Sequence, residues 1–250
     1  MGSGTITMSG GSITTAATGA NGIVAYGGTV NVSNVTITTT SSLSRGIHAT
    51  GGGSITASNL TISTSSSNCS VIALDRGGGT VTVTGGSYKT TGSDSAVMYS
   101  TGTLSVSGIT GSSGSGEIGV VEGSNSISIA DSAISSGILM EVDYNTRWST
   151  NGATGNLTLS GSGSNYAGSI VADSYSTATV TVESDTTWTG AFDTADTAKS
   201  TSLTISGGVW DLSADSYVDS ITLEEGAVIN CEGHTLSYGT LTQTSGTINN

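Results

Sequence analysis

The sequence predicts an all-β chain folded as a single-domain parallel β-solenoid of about eleven coils, each of roughly 24 residues and three short strands. Three observations carry that expectation. A short phrase recurs at a near-constant interval, glycine-rich corners separate the recurrences, and the 250 residues include no proline.

The phrase is hydroxyl, aliphatic, hydroxyl. It runs as Thr5-Ile6-Thr7, Thr29-Val30-Asn31, Ser54-Ile55-Thr56, Thr80-Val81-Thr82 and Thr103-Leu104-Ser105. It continues to Thr240-Leu241-Thr242, eleven occurrences at intervals of 18 to 30 residues. A second strand reads Ser12-Ile13-Thr14, Thr36-Ile37-Thr38 and Thr61-Ile62-Ser63, and a third begins at Ile23, Ile47, Val71 and Ala96. Alternation along a strand sends every second side chain inward. The expected interior columns are therefore Ile6, Val30, Ile55, Val81, Leu104; Ile13, Ile37, Ile62; and Ile23, Ile47, Val71, Ala96, the last flanked by Ala25, Ala49, Ala73 and Met98. Proline is excluded because an internal strand needs its amide hydrogen for the ladder on the next coil.

Along the chain, coils are regular over 4–130, a long irregular coil occupies about 131–155, and shorter acidic coils fill 156–250. Neither terminus reads as a cap, so the natural protein is expected to continue beyond at least one end. Residues 1–125 hold four acids and three bases, whereas residues 126–250 hold fourteen acids and two bases. The formal charge of −13 argues against a nucleic-acid partner. No run approaches the roughly 20 apolar residues of a membrane span, so no membrane insertion by this segment is expected. Cys69 and Cys231 lie in widely separated repeats and are expected to be buried small hydrophobes, not a disulfide.

The phrases GGTVTVTGGSYKTTG (78–92) and NGIVAYGGTVNVSNVTITTT (21–40) resemble the right-handed parallel β-helix segments of bacterial autotransporter passengers and related repeat-rich surface adhesins. The resemblance covers nearly the whole chain and is one of repeat type. It implies a right-handed coil and a secreted, extracellular location at the bacterial cell surface. The expected partners are a host or environmental glycan or protein surface, with possible self-association. The resemblance carries no catalytic residue.

Three regions are candidate sites. On the third strand, Val24, Tyr26, His48, Ile72, Leu74, Val97 and Tyr99 are expected to face outward, continued by Val121 and Leu139, as an apolar stripe for a ligand or partner. A one-residue slip in register would exchange the two faces. On the first strand, Thr5, Thr7, Thr29, Thr56, Thr80, Thr82 and Thr103 form an outward ladder. Exposed threonine is simply favourable in strands, and the functional alternative is an ice-binding module resembling the Thr-x-Thr faces of ice-binding solenoids. In the long coil, Glu141, Asp143, Arg147 and Trp148 are a grafted-site candidate for acid–base or sugar chemistry, set against a plain solvated loop.

No cofactor is expected. Calcium among the acids of the second half lacks both the helix–loop–helix pattern and the Gly-rich Asp nonapeptide, so solubility is the expected role of those acids. No Cys/His spacing suggests zinc. The residues thus point to a non-enzymatic, adhesin-like structural or binding segment that presents a contact surface. The alternatives are ice binding through the ladder and, third, a carbohydrate-active β-helix enzyme.

Overall fold

A computed structural model describes residues 3–146 and 152–250. The chain is all-β, a parallel β-solenoid of right-handed type with about ten turns. It divides into two compact units, Met1–Val120 and Val121–Asn250. Among the described residues no helix is long and apolar enough to cross a membrane.

In the first unit, strands Thr5–Ser9, Thr29–Ser33, Gly53–Thr64, Gly79–Thr90 and Thr103–Ser107 stack in parallel. Their register follows the phrase, with Ile6 on Val30, Val30 on Ile55, Ile55 on Val81 and Val81 on Leu104. The second strand is Ser12–Thr15 in the first coil and Thr36–Thr39 in the second. In the next two coils it fuses with the first strand into the 12-residue strands Gly53–Thr64 and Gly79–Thr90. The bend between the two parts is made at a left-handed residue in each coil: Gly10, Asn34, Asn59, Gly85 and Gly108 all have positive φ, and Gly11 and Gly86 extend it in two of the coils. Glycine and asparagine are the residues that tolerate this conformation, which is why they alternate there.

The third strand corrects the expected register. Ile23 lies on Ile47, Ile47 on Ile72 and Ile72 on Met98. Ile72 and Leu74 therefore point into the core in line with Ile47 and Ala49, and Ala73 takes the outward position. Val97 is buried as well, at the corner just before the strand, the place Gly46 and Val71 hold in earlier coils. That corner position aims inward, since a Cβ added to Gly46 would run into Ile62 Cγ2 and the Val71 carbonyl. Val121 and Leu139 are buried too. The apolar stripe expected outside is thus largely core. Its cause is spacing: Ile23, Ile47, Ile72 and Met98 each follow the first residue of their coil, Thr5, Thr29, Ser54 and Thr80, by 18 residues.

The second unit has two strands per coil instead of the expected three. Successive pairs run from Ser124–Ala130 with Ala133–Asp143, through Thr177–Val182 with Thr186–Gly190, to Leu236–Gln243 with Thr247–Asn249. In the first of these coils the single strand Ala133–Asp143 pairs with both Thr110–Ser113 and Glu117–Glu122, so it takes the place of the second and third strands. One interior column is Ile127, Leu157, Val180, Leu203 and Ile221. The other contains Tyr166, Trp188, Trp210 and Ile229. Trp188 and Trp210 stack with centroids 4.9 Å apart and planes 4° from parallel. Each indole N–H donates to a backbone carbonyl, Gly168 O at 2.8 Å and Gly190 O at 3.0 Å. Both rings thus bury their apolar faces with the polar edge satisfied.

The corrected register makes a direct prediction. Ile72→Ala should lower stability by about 2–5 kcal/mol in urea unfolding, the cost of a core cavity. An outward Ile72 would give a change within about 0.5 kcal/mol.

Candidate functional site

Three surfaces bear on function, two in the first unit and one in the second. The first is the outer side of the third strands. Val24 and Tyr26 are exposed, at 45% and 57%, and Tyr99 is half-buried. His48 is only 7% exposed because it sits inside a polar chain that links three coils.

That chain starts at Asn21. Its Oδ1 accepts from the Arg45 backbone N–H at 2.7 Å, and its Nδ2 lies 3.2 Å from His48 Nδ1. His48 Nε2 is 2.7 Å from Asp75 Oδ1, and the Arg45 guanidinium is 3.3 Å from Asp75 Oδ2. Burial works against the Asp75 charge, but the His48 hydrogen bond, the Arg45 charge and the Thr50 hydroxyl outweigh it and hold the carboxyl below its usual range. Both ring nitrogens of His48, both carboxylate oxygens of Asp75 and both amide atoms of Asn21 are engaged, so the arrangement is a structural network and not an open acid–base centre. Asn21, Arg45 and Asp75 were not expected here. The constant offset of 18 residues between first and third strands was the signal that aligns Asp75 with Thr50 and brings it beside His48.

The second surface is the hydroxyl ladder. Thr5, Thr29, Ser54, Thr80 and Thr103 form one row, and Thr7, Asn31, Thr56, Thr82 and Ser105 form the other, each in continuous register. Of the seven threonines expected there, Thr5, Thr7, Thr56, Thr80, Thr82 and Thr103 are exposed and Thr29 is half-buried. Strand geometry spaces them at about 4.8 Å between coils and about 6.6 Å along the strand. No position in either row is charged.

The third surface is in the second unit, around the long coil. Asp143 and Asp173 stand side by side where the strands Ala133–Asp143 and Ser164–Ala172 end. Asp173 accepts from the backbone N–H groups of Tyr144 and, at 2.8 Å, Tyr175, so its carboxyl is held low even though burial opposes the charge. Asp143 is pushed up by burial first, then by its hydrogen bond to Asp173 and the charges of Asp173 and Glu122. The two neighbouring carboxyls are thus pushed in opposite directions, Asp143 up and Asp173 down. The Tyr144 and Tyr175 rings lie 5.2 Å apart beside it, and Glu122 Oε1 accepts from Asn145 Nδ2 at 3.2 Å. Glu141 is half-buried on the same strand, whereas Arg147 and Trp148 lie outside the described residues. Hydrolysis by two carboxylates needs them about 5 Å apart for retention or about 6.5–9.5 Å for inversion. A directly hydrogen-bonded pair matches neither.

Five other acids of this unit accept internal hydrogen bonds. Asp193 accepts from the N–H groups of Thr197 and Ala198, Asp215 from that of Thr235, and Asp219 from that of Thr201. Asp211 accepts from Asn230 Nδ2, and Glu224 from the Ser206 hydroxyl. Among the described residues no group of three or more His, Cys, Asp or Glu side chains is placed to hold a metal ion. A shallow groove of about 450 Å³ is lined by Ser162, Gly163, Asp185, Thr187, Gly207 and Val209, with Asp185 its one carboxylate. Cys69 and Cys231 are both buried and free. The chain matches no protein-family model, no curated protein and no solved structure.

The two shifted carboxyls predict opposite pH behaviour. Asp75 has a lowered folded pKa, so its contribution is present above the unfolded value of about 3.9 and disappears as pH falls through the folded value. Asp75→Asn should therefore be destabilising at neutral pH, with the gap from wild type closing in acid. Asp143 has a raised folded pKa, so its stabilisation is full below about 3.9 and is lost as pH rises through the folded value. Asp143→Asn, which keeps a donor toward Asp173, should be stabilising at neutral pH and near-neutral in acid. Urea unfolding across pH checks both signs.

Proposed function

We propose that this chain is a non-enzymatic, extracellular, adhesin-like binding segment that holds its hydroxyl ladder against a neutral, hydroxyl-rich glycan surface. The observation that carries this reading is the in-register pair of rows from Thr5 and Thr7 to Thr103 and Ser105, uncharged at every position. Hydroxyls donate and accept, so such a face meets sugar hydroxyls in either sense without desolvating a charge. Individually weak contacts repeated at a fixed spacing add up along an extended ligand. The engagement of Asp75, Asp173, Asp193 and Asp219 in internal hydrogen bonds supports a binding role over a hydrolytic one.

Ice is the second reading, favoured by the complete Thr-x-Thr pairs at Thr5/Thr7 and Thr80/Thr82. Asn31, Ser54 and Ser105 remove three threonine methyls from the two rows. That loss matters for a face that orders water on methyl groups and is tolerated by a face that bonds through oxygen, so the glycan reading is preferred.

Pull-down on a panel of insoluble neutral polysaccharides tests it. Thr56→Lys combined with Thr82→Lys should weaken capture at least tenfold while the melting temperature stays within a few degrees, and no sugar should be released. Capture that survives both lysines overturns the ladder reading, and released sugar overturns the non-enzymatic one. Thermal hysteresis abolished by Thr80→Tyr would move the assignment to ice.

A further inference from the structure

We propose that the Asn21–His48–Asp75 chain is an acid-sensitive latch on the first coil, opened when His48 takes up a second ring proton. The donors and acceptors of the chain admit one arrangement at neutral pH. The Arg45 backbone N–H can only donate, and its acceptor is Asn21 Oδ1 at 2.7 Å. This fixes the amide, so Asn21 Nδ2 must donate to His48 Nδ1 at 3.2 Å. Nδ1 is thereby an unprotonated acceptor, and the single imidazole proton sits on Nε2, donated to Asp75 Oδ1 at 2.7 Å.

A proton arriving from solvent can bind only at Nδ1, where it meets the Asn21 amide hydrogens. Rotating the amide by half a turn would satisfy the imidazolium but set Nδ2 against the Arg45 N–H. Either way one donor of this half-buried group loses its acceptor within the chain. The charged groups around the ring act in both directions. Asp75, on the strand Ile72–Asp75, favours the imidazolium, and Arg45, already bonded to the other oxygen of Asp75, opposes it. From the strand Ile23–Tyr26 the ring faces Val24, with the Tyr26 phenol two residues on. Beyond Ala73 lies Tyr99 on the strand Met98–Ser100, and Arg76 follows Asp75 on the surface.

The consequence falls on the first coil because the same residues carry its backbone bonds. Gly22 N–H donates to Arg45 O at 2.9 Å and Ile23 N–H to Gly46 O at 3.0 Å, immediately beside the Asn21 contact. Displacing Asn21 therefore works directly on the seam between the first and second coils.

The test uses the full chain labelled with nitrogen-15. Imidazole nitrogen shifts should show the Nε2–H form of His48 at neutral pH. As pH is lowered from about 7.5 to about 5, amide exchange corrected for its intrinsic pH dependence should accelerate roughly tenfold or more at Gly22, Ile23 and Arg45, in step with the protonation of Nδ1 read from the imidazole nitrogen shifts. The Thr61 amide, bonded to Val35 O at 3.1 Å away from the latch, should hold its protection. Asn21→Asp supplies a carboxylate that accepts from both Arg45 N–H and a protonated Nδ1, so in that variant the same acidification should slow exchange. The proposal is overturned by an Nδ1–H tautomer at neutral pH, by Arg45 protection unchanged through the His48 titration, or by the same acceleration in Asn21→Asp.

Discussion

Each coil depends on its neighbour for its backbone hydrogen bonds, and the other features of the two units follow from that. The amides of Gly22 and Ile23 have no partner within their own coil; they are satisfied by Arg45 O and Gly46 O of the next. Parallel pairing of this kind aligns like positions over like positions, so a side chain chosen once is chosen for the whole column. The aliphatic columns, the hydroxyl rows and the Trp188–Trp210 stack are three outcomes of the same constraint. Glycine enters for the converse reason, where adjacent backbones come too close for a Cβ, as at Gly46 against the Val71 carbonyl.

How much of this was legible depended on where the coils change length. The first two interior columns of the first unit could be read directly, because the phrase from Thr5 to Ser105 marks its own register. The third could not be read by likeness. Ser70-Val71 looks like the counterpart of Gly46-Ile47, but Ile72 is what lies on Ile47. The coils lengthen in the corner after the third strand, from Gly27-Gly28 to Gly51-Gly52-Gly53 to Arg76 through Gly79, while the offset of 18 residues from first to third strand stays fixed. Assigning that extra residue before the strand instead of after it turns every side chain over, which converts the core residues Ile72 and Leu74 into an apparent surface stripe. The His48 network was hidden by the same slip, since Asp75 reaches the ring only in the true register.

In the second unit the difficulty was of another kind. Acid-rich composition reads as a solubility device because a sequence does not show which amides lack partners. At several places in this unit a backbone N–H takes a side-chain carboxylate as its acceptor in place of a strand carbonyl. Carboxylates supply the acceptors: Asp193 folds a turn back on itself through Thr197 and Ala198, and Asp219 reaches across to Thr201. Charge here is a by-product of satisfying the backbone at irregular corners. At the Asp143–Asp173 corner Asp173 is the carboxylate that does this, accepting from Tyr144 and Tyr175, with the Asp143 carboxyl set beside it.

A stack of near-identical coils has a specificity problem that its hydrophobic columns do not solve. Val30, Ile55 and Val81 are interchangeable to within a methylene, and the hydroxyl rows are more degenerate still, so a coil paired with the wrong neighbour would lose little from either. The outer side of the third strands differs because its residues are unlike one another. Asn21, His48 and Asp75 satisfy each other only in that order, one per coil, and the Arg45 backbone N–H fixes the direction in which the chain is read. A misassigned coil would leave a buried amide, imidazole or carboxylate unpaired, at roughly 1–3 kcal/mol for each neutral group and more for the charge. Buried polar groups that add little net stability can in this way select one register among many of similar hydrophobic energy. The degenerate hydroxyl face is then free to serve contact with a ligand, because correct stacking does not rest on it.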